Sequence, residues 1–158
     1  MTSAVIVSLR VKATPQQAFE VFTGEIASWW QANELFQLTP RGDGRLRFEP
    51  GEHGRLVTDL PSGATFEIGR ISAWVPGERL AFSWRQGTFA PDQTTYVEVR
   101  FEPVGDETRV TVEHRGWDSI PQEHAARHGF PLAPFQMRQA EHWRALLAAL
   151  AARTAARR

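Results

Sequence analysis

The stretch 135–153, FQMRQAEHWRALLAALAAR, constrains this chain most, because it reads as one amphipathic helix that must find a partner. Gln136, Ala140, Trp143, Leu147 and Leu150 recur at alternating steps of four and three, and Leu146 widens the row into an apolar stripe. Arg138, Glu141, Arg144 and Arg153 fall on the other side, which is therefore predicted to be wet. Ala and Leu favour helix in the second half, and a continuous helix here spans roughly 28 Å, enough to cross a small domain. Arg153, Arg157 and Arg158 complement the negative pole at its end. Pro131 and Pro134 are expected to break the chain just before it. A single helix of this kind draws most of its stability from burying its stripe, so the preceding residues must supply the surface.

Those residues read mainly as strands. Ala4–Val11 alternates, with Val5, Val7, Leu9 and Val11 on one side. Thr14 then offers an N-cap, Pro15 a first helical position and Gln17 the third member of a capping box, opening a short helix that buries Ala18, Phe19 and Phe22. A second short helix, 25–30, follows Gly24 with Thr23 as its predicted cap, and carries Ile26, Trp29 and Trp30. Six strands are predicted at 45–49, 55–60, 64–75, 79–86, 94–102 and 108–117, separated by turn sequences such as Pro50-Gly51, Pro76-Gly77 and Gly105-Asp106. Short links imply an antiparallel meander. Leu80, Phe82 and Trp84, then Val97, Val99 and Phe101, then Val110, Val112 and His114 share the covered face, while Glu98, Glu102 and Glu113 turn outward. In 64–75 the phase is divided: Phe66 and Ile68 give one parity, Ile71 and Val75 the other, and Gly69 marks a candidate bulge between them. The segment 119–128 reads as a further short helix. The order describes an α+β fold, one curved antiparallel sheet wrapped on a long helix.

Composition narrows the function. At 158 residues the chain is expected to form one domain, 1–158, with no need of staples. It has no Cys, which excludes disulfides and thiolate metal sites. The 18 basic and 18 acidic residues cancel without long runs of one sign, which disfavours nucleic acid and anionic membrane as partners. No stretch resembles a signal peptide or a membrane span, so a cytoplasmic protein is expected. Six Trp and 10 Phe against one Tyr give an interior of flat apolar walls. No Walker loop, dinucleotide fingerprint, HExxH or nucleophile elbow is present, so no catalytic residue is named.

The order of elements resembles the helix-grip fold of the SRPBCC (START-like) superfamily. Within it the chain is similar to the homologues of the activator of heat-shock protein 90 ATPase. The residues that carry this are Thr14-Pro15 with Phe19, Thr23 with Trp29-Trp30, Gly42-Asp43-Gly44 before Leu46 and Phe48, Val75 to Leu80 with Phe82 and Trp84, Val97 to Pro103, Thr108 to His114 with Gly116-Trp117, and Trp143 with Leu147 and Leu150. They span nearly the whole chain. His142 stands where that family usually has Gly before the Trp of the last helix. The resemblance implies a small apolar or aromatic ligand held between sheet and helix; no cofactor is expected, and the partners expected are that ligand and at most a second copy, as a monomer or homodimer. It also leaves open a cyclase- or hydrolase-type enzyme with His114 as acid or base, and a co-chaperone-like interaction domain.

The expected ligand-binding residues are Trp29, Trp30, Phe48, Phe66, Arg70, Trp84, Val99, Val112, His114, His142 and Trp143. His114 stands between two readings, a polar anchor inside a cavity and a core histidine satisfied by the fold. His142, at the edge of the gripped face, is expected to be partly exposed. Arg70 shares nominal parity with Phe66 and Ile68, and would bind an anionic group if that register held. His124 and His128 stand four apart on the predicted 119–128 helix, but without a third ligand they read as a solvated face rather than a metal site.

Overall fold

The stripe of the last helix and the alternation of the strands determine a two-layer arrangement in the computed structural model, which describes residues 4–30, 45–84, 94–116 and 132–156. The elements are β1 (Ala4–Val11), α1 (Pro15–Gly24), α2 (Ile26–Trp29), β2 (Arg45–Phe48), β3 (Arg55–Asp59), β4 (Thr65–Val75), β5 (Arg79–Trp84), β6 (Thr95–Val104), β7 (Glu107–Arg115) and α3 (Leu132–Ala156). Seven strands form one sheet in the order β1-β7-β6-β5-β4-β3-β2, and every neighbouring pair is antiparallel. The meander is as expected. What the strand order adds is that β1 returns to pair with β7 at the far edge, so that the first and last strands meet beside α3.

The capping box at Thr14 forms as its sequence requires: the Gln17 amide donates to Thr14 Oγ1, and Gln17 Oε1 accepts from the Thr14 amide, both at 3.1 Å. The second cap does not. Thr23 is the last buried residue of α1, and its hydroxyl donates back to Phe19 O at 2.8 Å. Glu25 takes the capping position of α2 without a side-chain capping bond, and its carboxylate accepts instead from Arg153 near the end of α3 at 2.7–2.8 Å.

In β4 the divided phase has a physical cause. Two register shifts interrupt its pairing, one opposite Leu56/Val57 and one between Ile71 and Ala73. Between them Gly69 lies so close to β5 that a Cβ would come within 1.7 Å of Ser83 O, and the Arg70 amide donates to Ser83 Oγ at 2.9 Å. Past this point Ile71 is buried while Arg70 is exposed and pairs with Glu67 at 3.5 Å, so the inward Arg70 expected from nominal parity is corrected. The second shift turns Trp74 toward the core and leaves Val75 exposed.

The last helix is longer than its sequence pattern predicts, beginning at Leu132 with Pro134 inside its first turn. Proline is tolerated there because first-turn amides have no acceptor within the helix. The stripe is also rotated: Phe135, Gln139, His142, Trp143, Leu146, Leu147, Leu150 and Thr154 are buried, whereas Gln136 and Ala140 are only half-buried. Glu98, Glu102 and Glu113 lie on the outer face of the sheet, where Arg79 and Arg100 flank Glu98. The 119–128 helix and its two histidines lie outside the described residues.

Leu147 is fully buried, and Arg144, three residues before it on the same helix, is exposed. Leu147→Ala is expected to cost roughly 2 to 5 kcal/mol in chemical denaturation, and Arg144→Ala less than about 0.5 kcal/mol. Equal and mild effects would show that α3 is not gripped by the sheet.

Candidate functional site

Three inward positions of adjacent strands and two turns of α3 converge on one buried imidazole. His114 is directly opposite Val5 on β1 and Val97 on β6, which makes Thr95 its diagonal neighbour. His114 Nε2 lies 2.8 Å from Thr95 Oγ1, which in turn donates to Trp84 O at 3.0 Å. From above, Trp143 Nε1 donates to His114 Nδ1 at 3.3 Å, and Gln139 Nε2 lies at the same distance from that nitrogen.

These contacts fix the proton positions. An indole N–H can only donate, so Nδ1 of His114 is an acceptor and its single proton resides on Nε2. That proton points at Thr95 Oγ1, whose own hydrogen is directed to Trp84 O. With Nδ1 an acceptor, Gln139 must turn its NH2 toward it, and the side-chain carbonyl of Gln139 then faces elsewhere. Among the described residues that buried carbonyl oxygen has no hydrogen-bond partner, and neither does Nε2 of Gln136 one turn earlier on α3. An unpaired buried polar atom costs on the order of 1 to 3 kcal/mol, so a fold that retains two of them on one helix turn calls for a reason.

Aromatic rings enclose this polar head. Trp84 and Trp143 approach His114 with centroids at 5.8 and 6.1 Å. Trp30, half-buried, is tilted against Trp84 at 5.3 Å and stands edge-on to Trp143 at 5.6 Å and to His142 at 6.1 Å. The aromatic chain continues outward through Trp29, Phe22, Phe48 and Phe82.

Of the expected site residues, Trp30, Trp84, His114, His142 and Trp143 come together. Val99 and Val112 pair in the sheet floor, one inward step from His114. Trp29 is instead built into the helical corner, its indole donating to Val21 O at 3.2 Å, and it meets the site only through Trp30. Phe48 packs on Phe22 and Phe82, and Phe66 is half-buried at the margin of the core. Arg70 is on the outer side. His142, expected to be partly exposed, is only 8% exposed, because the actual stripe runs through 135, 139 and 143 and brings the residue before Trp143 under cover. Gln139 and Thr95 were not anticipated. Thr95 shares the parity of Val97 and Val99, and Gln139 stands four residues from both Phe135 and Trp143, so each had a legible position but an unremarkable residue type.

The electrostatics follow from burial. Removal from water pushes His114 down to about 3, with the nearby His142 a secondary cause, and burial pushes His142 down to about 4. Both are neutral near pH 7, so the two imidazoles bring no charge to this part of the core. Among the described residues no group of three His, Cys, Asp or Glu converges as a metal site would require. The polar head is therefore uncharged near pH 7 and offers hydrogen-bonding groups within aromatic surroundings.

A sheet curled on a long C-terminal helix, with an aromatic interior that carries a small polar head, defines a helix-grip protein. More narrowly, residues 12–154 match the model of the Activator of Hsp90 ATPase homolog 1-like protein family, and the chain belongs to that family. Its fold is shared with protein MLL2253 from Mesorhizobium loti, at 17% identity over 98% of both chains and a TM-score of 0.64. DynU16, a protein of the dynemicin biosynthetic locus, is similar at 18% identity and a TM-score of 0.62, over 94% of this chain and 45% of that one. The anthrahydroquino-γ-pyrone synthase Txn09 is 32% identical over 84% of this chain and 83% of its own, with a TM-score of 0.51. Among curated proteins, none matches the chain.

The two depressed histidines make stability depend on pH in a defined direction. Unfolded, each imidazole titrates near its ordinary 6.5, so between that pH and the native values of about 3 and 4 the unfolded chain binds more protons. Stability is thus at its fullest above pH 6.5 and declines as the pH falls toward 4 and below. On the order of 2 kcal/mol is expected to be lost from His114 alone between pH 7 and pH 5, read as a fall in the urea midpoint. His114→Phe deprives the Trp143 and Gln139 donors of their acceptor, and is expected to cost about 1 to 3 kcal/mol at pH 7 while flattening the acid slope. An unchanged slope in that variant would assign the acid sensitivity to other groups.

Proposed function

We propose that this protein binds a small, flat, conjugated molecule between the sheet and α3, stacked against Trp30 and Trp84 and oriented by the polar groups beneath Trp143. The observation that carries this is the grouping of three indoles and two neutral imidazoles, with centroid separations of 5.3–6.5 Å, around a polar head that includes unpaired amide atoms. Flat faces set at steep and shallow angles favour a planar guest through stacking and edge contacts. We take the protein to act in the cytoplasm, as a monomer or homodimer.

A second reading, an enzyme that closes rings on such a molecule, is favoured by the 32% identity with a pyrone synthase. His114 would then position rather than transfer protons. A co-chaperone role has only the family name behind it.

Anthraquinone, titrated while tryptophan emission is followed, is expected to quench saturably, and Trp30→Ala to weaken it roughly tenfold or more. Native mass spectrometry of the purified protein is expected to show a retained small molecule. Linear, non-saturating quenching by anthraquinone together with a clean apo mass would remove the binding reading. Conversion of the retained molecule on incubation would favour the enzyme.

A further inference from the structure

The two unpaired amide atoms on α3 say more about the guest than its flatness. Gln139 is 2% exposed, and among the described residues its Oε1 has no hydrogen-bond partner and the buried Nε2 of Gln136 has none either. The orientation of Gln139 is not free to reverse. Trp143 and Gln139 both approach Nδ1 of His114 at 3.3 Å, and a nitrogen that accepts from an indole N–H cannot also donate to a carbonyl. The Gln139 carbonyl is therefore held as an acceptor by a rigid chain, Trp84 O to Thr95 to His114 to Gln139. Gln136, three residues earlier on the same helix, is its neighbour along the turn, and the atom it leaves without a partner among the described residues is the amide nitrogen.

From this we infer that the guest presents a neutral aromatic or enolic hydroxyl to the Gln139 carbonyl, its oxygen accepting in turn from the Gln136 amide. The inference rests on the binding reading above and specifies its chemical class. A carboxylate or phenolate offers no hydrogen to Gln139, and among the described residues no Lys or Arg is buried to receive it. A ring ketone alone accepts but cannot donate. A neutral aryl amine donates, but its nitrogen is a poor acceptor for Gln136. A hydroxyl does both with one atom. His114 is thus a positioning residue, which aims Gln139 and makes no contact of its own with the guest.

β-Naphthol and its methyl ether test this, because they have the same flat ring and differ only in the hydroxyl hydrogen and a methyl cap. Ligand-detected NMR titrations of the wild-type protein are expected to give naphthol roughly tenfold tighter than the ether, the equivalent of one hydrogen bond. Gln139→Leu is expected to abolish this preference, bringing the naphthol-to-ether ratio close to one, a ratio that a merely structural role would not move. Gln139→Met provides the same comparison should the leucine variant fold poorly. Equal affinities of the two probes for the wild-type protein, as would result if water satisfied the amide, overturn the inference. So does a preference that persists in a folded Gln139 variant. If anthraquinone quenches saturably but neither naphthalene probe binds, the hydroxyl inference alone falls; if none of the three binds, the binding reading falls with it.

Discussion

The indole N–H of Trp143 directed at Nδ1 of His114 is the contact on which the interior depends. A donor-only group sets the tautomer, and each later hydrogen follows from it: Nε2–H to Thr95, the Thr95 hydroxyl to the backbone of Trp84, the Gln139 amide turned NH2-first. These groups come from β5, β6, β7 and α3, so the chain ties the middle of the sheet to the helix it grips. Apolar packing around it is dense and non-directional. The hydrogen-bonded chain supplies the register that packing alone does not specify.

Burial gives this arrangement its stability and its restriction together. The same exclusion of water that strengthens each bond keeps both imidazoles neutral, and places the loss of stability on the acid side. Far from the site, Arg153 reaches back to Glu25 at the junction of α1 and α2, tying the end of the helix to the corner that carries Trp30. That ion pair is partly exposed and adds little stability by itself. Its geometric effect is to connect the end of α3 to the corner that leads through α2 to Trp30.

Much of the fold was legible because alternation and turn chemistry act over short distances. Val110, Val112 and His114 face inward as their parity requires, and the Thr14 capping box forms as written. What could not be read were events decided by distant backbone. Gly69 is pressed against Ser83, a residue 14 positions away in sequence, and the resulting shifts send Arg70 outward and Trp74 inward. The phase of α3 failed for a related reason. Taking Gln136 and Ala140 as stripe positions hid Gln139, since a glutamine on a buried row is invisible to a hydrophobicity pattern. The site was therefore legible in its aromatic walls and in His114, while its amide edge became apparent only once the hydrogen bonds to His114 were known.

An interior whose titratable groups are neutral and already bonded limits what kind of chemistry it can host. Proton transfer by His114 near pH 7 would require breaking the Trp143 and Gln139 contacts and charging a buried ring, both uphill. Proximity and orientation carry no such cost: a guest held flat against Trp30 and Trp84, with one edge fixed by an amide, has lost the rotations that would otherwise separate its reactive atoms. A carrier and a ring-closing enzyme can then share the same walls, and the difference between them lies in how reactive the guest is when it arrives. On this view the identity with Txn09 and the depressed histidines are compatible. The buried imidazole bears on how rigidly a guest would be held, through the amide it aims.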